Sequence, residues 1–274
     1  MKNNIVKIFS ETNHKISSLK LIRNGETSFT YFGYLNNKKS IFKILKKNSH
    51  KLLENNFYSQ KISNEIVKKN LFPKIIYSDN KNSLYVYEFF EGKEIKSLNK
   101  ELIFNIGSKL RKLHSLDLDK NLKLFNTQIY SYIQKIKKNK NNKILKEGIK
   151  LYKKLKKNKF DNVVSHNDLN NSNILFNKYE VKFIDYDYLS INSRFCDLAR
   201  ICSSYKFSKK DIKVFLESYG LDCTKNNLDT LRSWQLMNLY TDLIWFYFLE
   251  ETNLNFFNKN MIVITKKLIK QQKQ

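Results

Sequence analysis

The stretch SHNDLNNSNILFNKYEVKFIDYDYLS, residues 165–190, decides how this chain is interpreted. It begins with a polar loop and continues with two short apolar runs, ILF and VKFI, which are separated by the polar residues 177–180. Apolar runs joined by a short polar turn predict a β-hairpin. The hairpin would bring Asp185 back beside Asn173, with the carboxylate of Asp168 a few residues upstream.

These three side chains suggest phosphoryl transfer. Carboxylate and amide oxygens are the ligands that Mg²⁺ prefers. In kinase-type sites a catalytic-loop Asp orients the attacking hydroxyl, while an Asn shortly after it and an Asp after the next hairpin hold the metal. Asp168, Asn173 and Asp185 occur in that order and at that spacing. We therefore predict Asp168 as the catalytic residue and Asn173 and Asp185 as metal ligands.

The strings HNDLNNSNIL and FIDYDY resemble the choline/ethanolamine kinase family, within the superfamily of aminoglycoside phosphotransferases and protein kinases. The HND and IDY forms favour the choline kinase branch over the aminoglycoside kinases. The resemblance is specific over residues 165–199 and partial over 84–92 and 110–115. It implies ATP and Mg²⁺ as cofactors and an α+β, bilobal protein-kinase-like fold. A small β-rich N-terminal lobe would span residues 1–90, and a larger, mostly helical C-terminal lobe residues 91–274.

Composition narrows the function classes. A hydrophobic fraction of 41% and an aromatic fraction of 14% predict a folded protein. The net charge of +26 could serve nucleic-acid or membrane binding, but the lysines are dispersed among many Asn and Ile residues, as in proteins of AT-rich genomes. We expect no specific nucleic-acid partner. Oligomeric state stays open.

The cysteines and the apolar runs predict a location. Cys196, Cys202 and Cys223 are odd in number and form no C-x-x-C pair, so we expect reduced thiols. The N-terminus has no long apolar segment, and the apolar run at residues 243–249 is far shorter than a membrane span. These features predict a cytoplasmic protein without a membrane span.

The predicted N-terminal lobe contains strands at residues 19–22, 28–35 and 40–45, the last two joined by the turn 36–39. The resemblance implies that the turn at residues 23–28 covers the nucleotide phosphates, using backbone N–H groups at Gly25 and the hydroxyl of Thr27 or Ser28. Gly25 alone is also an ordinary turn residue.

Lys43 lies inside the apolar strand IFKIL. A lone Lys in a strand usually points to solvent, but in a kinase-like fold it reaches the nucleotide phosphates and pairs with a Glu on the following helix. We predict that helix at residues 49–70 and Glu65 as the partner, with Glu54 as the alternative. Further on, residues 84–90 read as a strand, and the resemblance implies that backbone groups near Glu88 and Phe90 bind the adenine edge.

Two residues are predicted to support the catalytic loop. The resemblance assigns to Asp197, in the segment RFCDLA, the task of holding the loop in place; Asp197 could also be a helix N-cap. His166 should pack beneath the loop and bond to its backbone, without an acid or base role. His114 is interpreted as a packing or capping residue.

The C-terminal part reads as helical, with helices near residues 128–157, 208–219, 225–250 and 254–270. The resemblance places aromatic residues of the segment WQLMNLYTDLIWFYFLEE around a quaternary ammonium, and Trp is the best ring for a cation. Trp245 is the candidate cage residue and Tyr188 a weaker one, although an aromatic-rich helix is often simply core. Asp187 could assist the metal or contact the substrate cation.

The predicted function is transfer of the ATP γ-phosphoryl group to the hydroxyl of choline or a similar small-molecule amino alcohol. A kinase of the same fold acting on ethanolamine, thiamine, an aminoglycoside or a sugar is the first alternative; the Lys-rich chain argues mildly against a polycationic antibiotic. A protein kinase is disfavoured because IDYDY replaces D-F-G and no A-P-E segment follows. A non-catalytic nucleotide-binding or nucleic-acid-binding protein is the third.

Overall fold

The computed structural model describes residues 2–46, 60–118, 122–138, 142–155, 162–185, 187–252 and 258–274. Within these ranges an antiparallel sheet occupies the N-terminal part and helices dominate the C-terminal part. This arrangement confirms the predicted α+β, bilobal kinase-like fold. The division at residue 90 stays a prediction.

The larger sheet belongs to the N-terminal part. Within the described ranges it comprises β1 (Ile16–Asn24), β2 (Ser28–Leu35), β3 (Lys38–Leu45), β4 (Ile75–Asp79) and β5 (Leu84–Glu88), in the order β1-β2-β3-β5-β4. The β2–β3 turn is Asn36–Asn37 alone, both with positive φ (49° and 63°), because this conformation matches the strand twist in two-residue hairpins. β5 ends at Glu88, so the predicted strand to residue 90 was too long.

A helix that we did not predict from the sequence covers one face of this sheet. α1 (Lys2–Ser10) buries Ile5 and Phe9, and the Phe9 and Phe42 rings meet edge to face with centroids 5.9 Å apart. The apolar residues four positions apart lie on one face of the helix, which explains why it packs here. This small core stabilises the sheet that carries Lys43.

The C-terminal part contains short strands and long helices. β6 (Lys93–Glu94) pairs with β8 (Ile174–Phe176), which pairs with β9 (Val181–Phe183), and β7 (Asn162–Ser165) pairs with β10 (Ser190–Ser193). The helices are α3 (Lys100–His114), α4 (Phe125–Lys135), α5 (Lys143–Leu155), α6 (Arg194–Ser204), α7 (Lys209–Tyr219), α8 (Lys225–Glu251) and α9 (Asn260–Lys273). α2 (Gln60–Lys68) precedes β4 but buries Ile62 and Ile66 in the core of this C-terminal part.

Helix boundaries largely follow the sequence signals. Ser208 and Asp211 form a capping box at the start of α7, and Gly220 ends that helix with a φ of 92°. The first half of the helix predicted at residues 49–70, including Glu54, lies outside the described residues. In the described ranges, no helix has the length and apolar character needed to cross a bilayer.

Candidate active site

The β8–β9 hairpin brings the predicted catalytic residue Asp168 together with the two predicted metal ligands. The Ile184 N–H donates to the Asn173 carbonyl at 3.0 Å, which places Asp185 at the end of β9 beside Asn173. The Asn173 amide donates to both the carbonyl and the carboxylate of Asp168, at 2.8 and 3.0 Å. The predicted proximity of these residues is therefore observed, and their chemical roles stay predictions.

One atom of this group fits a metal ligand. Among the described residues, Asn173 Oδ1 is a buried oxygen without a hydrogen-bond partner, whereas its amide nitrogen is fully engaged. A buried polar atom without a partner is costly, and a bound cation would relieve that cost. Asp185 adopts a φ of 61°, a conformation that costs a non-glycine residue about 1–3 kcal/mol and is common at functional sites. An amide and a carboxylate oxygen of this kind suit Mg²⁺.

Asp197 anchors the catalytic loop from below. Its Oδ2 accepts from the Ser165 hydroxyl and the His166 N–H, both at 2.8 Å, and its Oδ1 accepts from the Asn167 N–H at 2.8 Å. His114 Nε2 adds a fourth contact at 3.0 Å. Burial opposes its charge, but these donors outweigh burial and lower the pKa of Asp197.

The alternative that Asp197 is a helix N-cap is wrong. The N-cap of α6 is Ser193, whose hydroxyl accepts from the Phe195 N–H. Asp197 lies in the first turn of the helix, fully buried, and directs its carboxylate toward the loop. Serine and aspartate both cap helices, and Ser193 and Asp197 lie close together in the sequence. The sequence alone therefore could not show which of them is the N-cap.

His166 lies beneath the loop, as predicted for a structural residue. Its Nε2 lies 2.9 Å from the Ile184 carbonyl, and its Nδ1 accepts from the Asp168 N–H at 3.3 Å. Phe72 stacks against the ring with centroids 5.8 Å apart. Burial lowers the pKa of His166, and both ring nitrogens are engaged by backbone groups. The neutral imidazole thus joins the catalytic loop to the hairpin.

Lys43 reaches the same site from β3. Its Nζ lies 2.6 Å from Asp185 Oδ1 and 2.6 Å from Asp187 Oδ2. Burial opposes the charge of Lys43, but the two carboxylates outweigh burial and raise its pKa. The two acids respond differently, because burial raises the pKa of Asp187 while the attraction of Lys43 prevails at Asp185 and lowers the pKa there. Asp187 therefore contacts Lys43 rather than standing free for a substrate cation.

The predicted pairing of Lys43 with Glu65 is wrong. The Glu65 carboxylate is directed along α2 toward Lys68, 3.9 Å away, in a partly exposed pair. Lys43 instead forms ion pairs with Asp185 and Asp187, which directly follow the β8–β9 hairpin in the sequence. Sequence spacing could not reveal this choice, because Lys43 and Asp185 are separated by 142 positions.

The pKa of Asp168 lies well above that of an ordinary aspartate. Burial raises the pKa of Asp168 to about 7; Arg200 opposes the rise, and Asp185 and Asp242 add to it. A carboxyl with a pKa near neutral can accept a proton from an alcohol and release it again. The position of Asp168 at the wall of a cavity makes it accessible to a small molecule.

The turn between β1 and β2 forms the roof of that cavity. The Gly25 N–H donates to the Ser28 carbonyl at 3.0 Å, and the Lys46 N–H donates to the Thr27 carbonyl at 2.8 Å. Gly25, Thr27 and Ser28 all line the cavity, as expected for a loop that would cover phosphates. Arg23, just before the turn, approaches Asp185 at 3.8 Å.

The predicted adenine-binding segment is partly committed to other bonds. The Glu88 N–H donates to the Lys74 carbonyl at 2.9 Å, and the Phe89 N–H donates to the Lys39 carbonyl at 3.3 Å. The Phe90 carbonyl accepts from the Gly92 N–H at 2.8 Å. Adenine binding by backbone groups near Glu88 and Phe90 stays a prediction, and the groups named above would have to exchange or share their present partners.

Aromatic rings form one wall of the cavity. The Trp245 ring lies 5.2 Å from the Tyr132 ring and 6.0 Å from the Tyr188 ring, measured between centroids. Phe248 backs the indole at 5.6 Å. Trp245 and Tyr188, predicted from two distant segments, thus face each other, while Tyr132 on α4 was not predicted.

The cavity, of about 510 Å³, is acidic although the chain is basic. Glu26, Asp168, Asp185, Asp187 and Asp242 line it, together with the arginines Arg23 and Arg200. Local charge at a cleft, rather than net charge, attracts a ligand. Among the described residues no lysine lines this cavity, so the Lys-rich composition gives no argument against a cationic antibiotic.

Arg200 and Asp242 are further site residues that sequence reasoning did not assign. Arg200 on α6 binds Asp242 on α8 through two hydrogen bonds of 2.7 Å. Such paired bonds orient both side chains. The signal was weak: Arg200 follows Asp197 by one helical turn, and Asp242 precedes Trp245 by about one turn.

The family model described as choline/ethanolamine kinase matches residues 19–237. The chain is 26% identical over 175 residues to "Protein LicA homolog" of Mycoplasma capricolum, covering 60% of this chain and 69% of that protein.

Solved structures share the fold. Choline kinase LicA from Streptococcus pneumoniae matches with a TM-score of 0.79 at 17% identity, covering 99% of this chain and 98% of that one. Plasmodium vivax ethanolamine kinase matches with a TM-score of 0.73 at 17% identity, covering 98% and 85%. The gentamicin complex of APH(2")-IIa gives 0.71 at 17%, covering 99% and 96%. Since the family model covers most of the chain, the protein belongs to the choline/ethanolamine kinase family, a family of small-molecule phosphotransferases.

Proposed function

We propose that this protein transfers the γ-phosphoryl group of ATP to the hydroxyl of choline or a similar amino alcohol. One observation carries the proposal: the acids suited to phosphoryl transfer and an aromatic wall suited to an ammonium group open into the same cavity. Trp245 and Asp168 both line it, so one small molecule in this cavity could place an ammonium group at the rings and a hydroxyl toward the acid.

Each residue of the catalytic group has a distinct task in this mechanism. Asp168 orients the acceptor hydroxyl and receives its proton, for which a pKa near neutral is suitable. Asn173 Oδ1 and the Asp185 carboxylate would hold Mg²⁺, which when bound neutralises charge on the transferred phosphoryl group. Lys43 would leave its two carboxylate partners in part and engage the donor phosphates. Positioning and charge neutralisation, more than strong basicity, drive such a reaction.

The acceptor side supports a cationic alcohol. Ring faces attract ammonium groups, and aromatic cages are a known way of binding choline. Trp245, Tyr132 and Tyr188 present three rings around one part of the cavity. The family match ends at residue 237, so the role of Trp245 rests on these contacts and not on the match. LicA of Streptococcus pneumoniae, a choline kinase of the same fold, agrees with this choice of substrate class.

An aminoglycoside is the second candidate acceptor. The acidic lining of the cavity suits a polycation, and the gentamicin complex shares the fold. We favour the smaller amino alcohol because the rings line the cavity beside the carboxylates. The three free thiols agree with the cytoplasmic location that we propose.

The test is ADP release by the purified protein with Mg²⁺ and ATP, across choline, ethanolamine, thiamine and an aminoglycoside. We expect turnover with choline or ethanolamine, a phosphorylated alcohol detectable by mass spectrometry, and none with the Asp168→Ala variant. ATP binding by that variant, measured as a rise in melting temperature, should persist. Normal turnover in the variant would refute the role of Asp168, and turnover with only the aminoglycoside would replace the proposed acceptor.

A further inference from the structure

Glu26 connects the two parts of the molecule across the cavity. It lies in the β1–β2 turn of the N-terminal sheet, and its Oε2 accepts from the Trp245 indole N–H at 2.9 Å. Trp245 is on α8, and the two residues are 219 positions apart. Both residues line the cavity, so their hydrogen bond joins the β1–β2 turn to the aromatic wall.

The backbone of the turn holds Glu26 in place. On one side the Gly25 N–H donates to the Ser28 carbonyl, and on the other the Thr27 carbonyl accepts from the Lys46 N–H. Glu26 stands between these two anchors, at the tip of the turn. These bonds hold the backbone on both sides of Glu26, and its side chain extends from there to Trp245.

The charge of Glu26 is unsuited to the donor side of the site. A carboxylate in a turn that would cover phosphates repels them unless it is directed elsewhere. The bond to Trp245 shows that Glu26 is directed elsewhere, toward the ring that faces Tyr188 and Tyr132. A carboxylate that accepts from an indole N–H also makes the ring face more negative, which strengthens attraction to a cation.

We propose that Glu26 determines acceptor specificity, its carboxylate supplying from the N-terminal sheet a negative charge for the ammonium group held at Trp245. This inference rests on the proposed function and adds to it a residue outside the helical part. The turn that carries Glu26 also carries Thr27 and Ser28, which are predicted to face the nucleotide phosphates. One short segment would thus contact both the nucleotide and the acceptor alcohol. Acceptor binding at Trp245 would then hold the turn over the donor.

The test separates charge from shape. Glu26→Gln keeps an oxygen that can accept from the Trp245 indole, but removes the negative charge. We expect the KM for choline to rise about threefold to fivefold, as for loss of a partly exposed charge contact, with kcat and the KM for ATP changed less than about twofold. The neutral isostere 3,3-dimethyl-1-butanol should be used equally well by the wild-type protein and by the variant. Glu217→Gln, an exposed acid on α7 outside the cavity, is the matched control.

A binding measurement that does not depend on turnover completes the test. Choline should change the fluorescence of Trp245, obtained as the signal of the wild-type protein minus that of Trp245→Phe, and Glu26→Gln should weaken this titration by the same factor as the KM. Equal choline KM values in Glu26→Gln and Glu217→Gln would overturn the inference while leaving the proposed function intact. An equal loss for the neutral isostere would overturn it too, by showing that shape and not charge was altered. Failure of the wild-type protein to use any ammonium alcohol would overturn the proposed function and the inference with it.

Discussion

Replacing Asp168 by asparagine should abolish turnover and, at slightly alkaline pH, make the protein more stable. Burial raises the pKa of Asp168 from 3.8 to about 7. Between these values the folded protein retains a proton that the unfolded chain releases, so the free energy of unfolding falls as the pH rises through this window. Asparagine carries no such proton and avoids the loss.

The magnitude follows from the same quantities. At about 1.36 kcal/mol for each pH unit, the full pKa change corresponds to about 4 kcal/mol. Asp168 is only partly buried at the cavity wall, and solvent reduces this to about 2–3 kcal/mol. Asp168 accepts from the amides of Asn170 and Asn173, and asparagine loses one of these bonds at about 1 kcal/mol. The variant should gain about 1–2 kcal/mol near pH 8 and be about equal near pH 5.

The assay is urea denaturation followed by circular dichroism, without nucleotide or metal, near pH 5 and near pH 8. Asp222→Asn, at an exposed position between α7 and α8, serves as the control for a general effect of removing one negative charge. A variant that is less stable near pH 8, or that differs from the wild-type protein equally at both pH values, would refute the account of Asp168 burial.

Two further substitutions test the support of the site, and a pair of glycine substitutions tests the packing of α3 on α7. Asp197→Ala leaves four hydrogen-bond donors without their acceptor in a buried position, and urea denaturation should show a loss of about 3–5 kcal/mol; a loss below about 1 kcal/mol would contradict the anchoring role. Lys43→Met leaves Asp185 and Asp187 without their cation, so we expect a similar loss in urea and no ADP release; unchanged stability would show that the pair is not needed. Gly107→Ala would force a methyl group against Ser218 where α3 meets α7, lowering stability by about 1–3 kcal/mol in urea. Gly25→Ala, whose added methyl group would have its nearest atom at 3.4 Å, should change stability by less than about 1 kcal/mol in the same measurement.

Local patterns in the sequence were enough for the catalytic group. Asp168, Asn173 and Asp185 lie within one loop and one hairpin, and a short turn leaves few ways for such a hairpin to close. The same locality explains why the strands β2 and β3 were predicted to within two residues at their ends. Predictions of secondary structure failed at the ends of elements, as at Glu88 of β5, and for α1, whose short apolar pattern lies outside the recognised motifs.

Tertiary structure alone decided which partners these elements meet. Lys43 forms ion pairs with Asp185 and Asp187 instead of Glu65, and Trp245 contacts Tyr132 of another helix. Five acids line one cavity, although the chain carries a net charge of +26. Side-chain periodicity predicts which face of an element is buried, but not which other element covers that face. Contacts across 142 or 219 positions depend on how the sheet and helices pack together. Spacing along the chain therefore predicted which residues meet at the β8–β9 hairpin, whereas the packing of distant elements determined the charge and shape of the cavity.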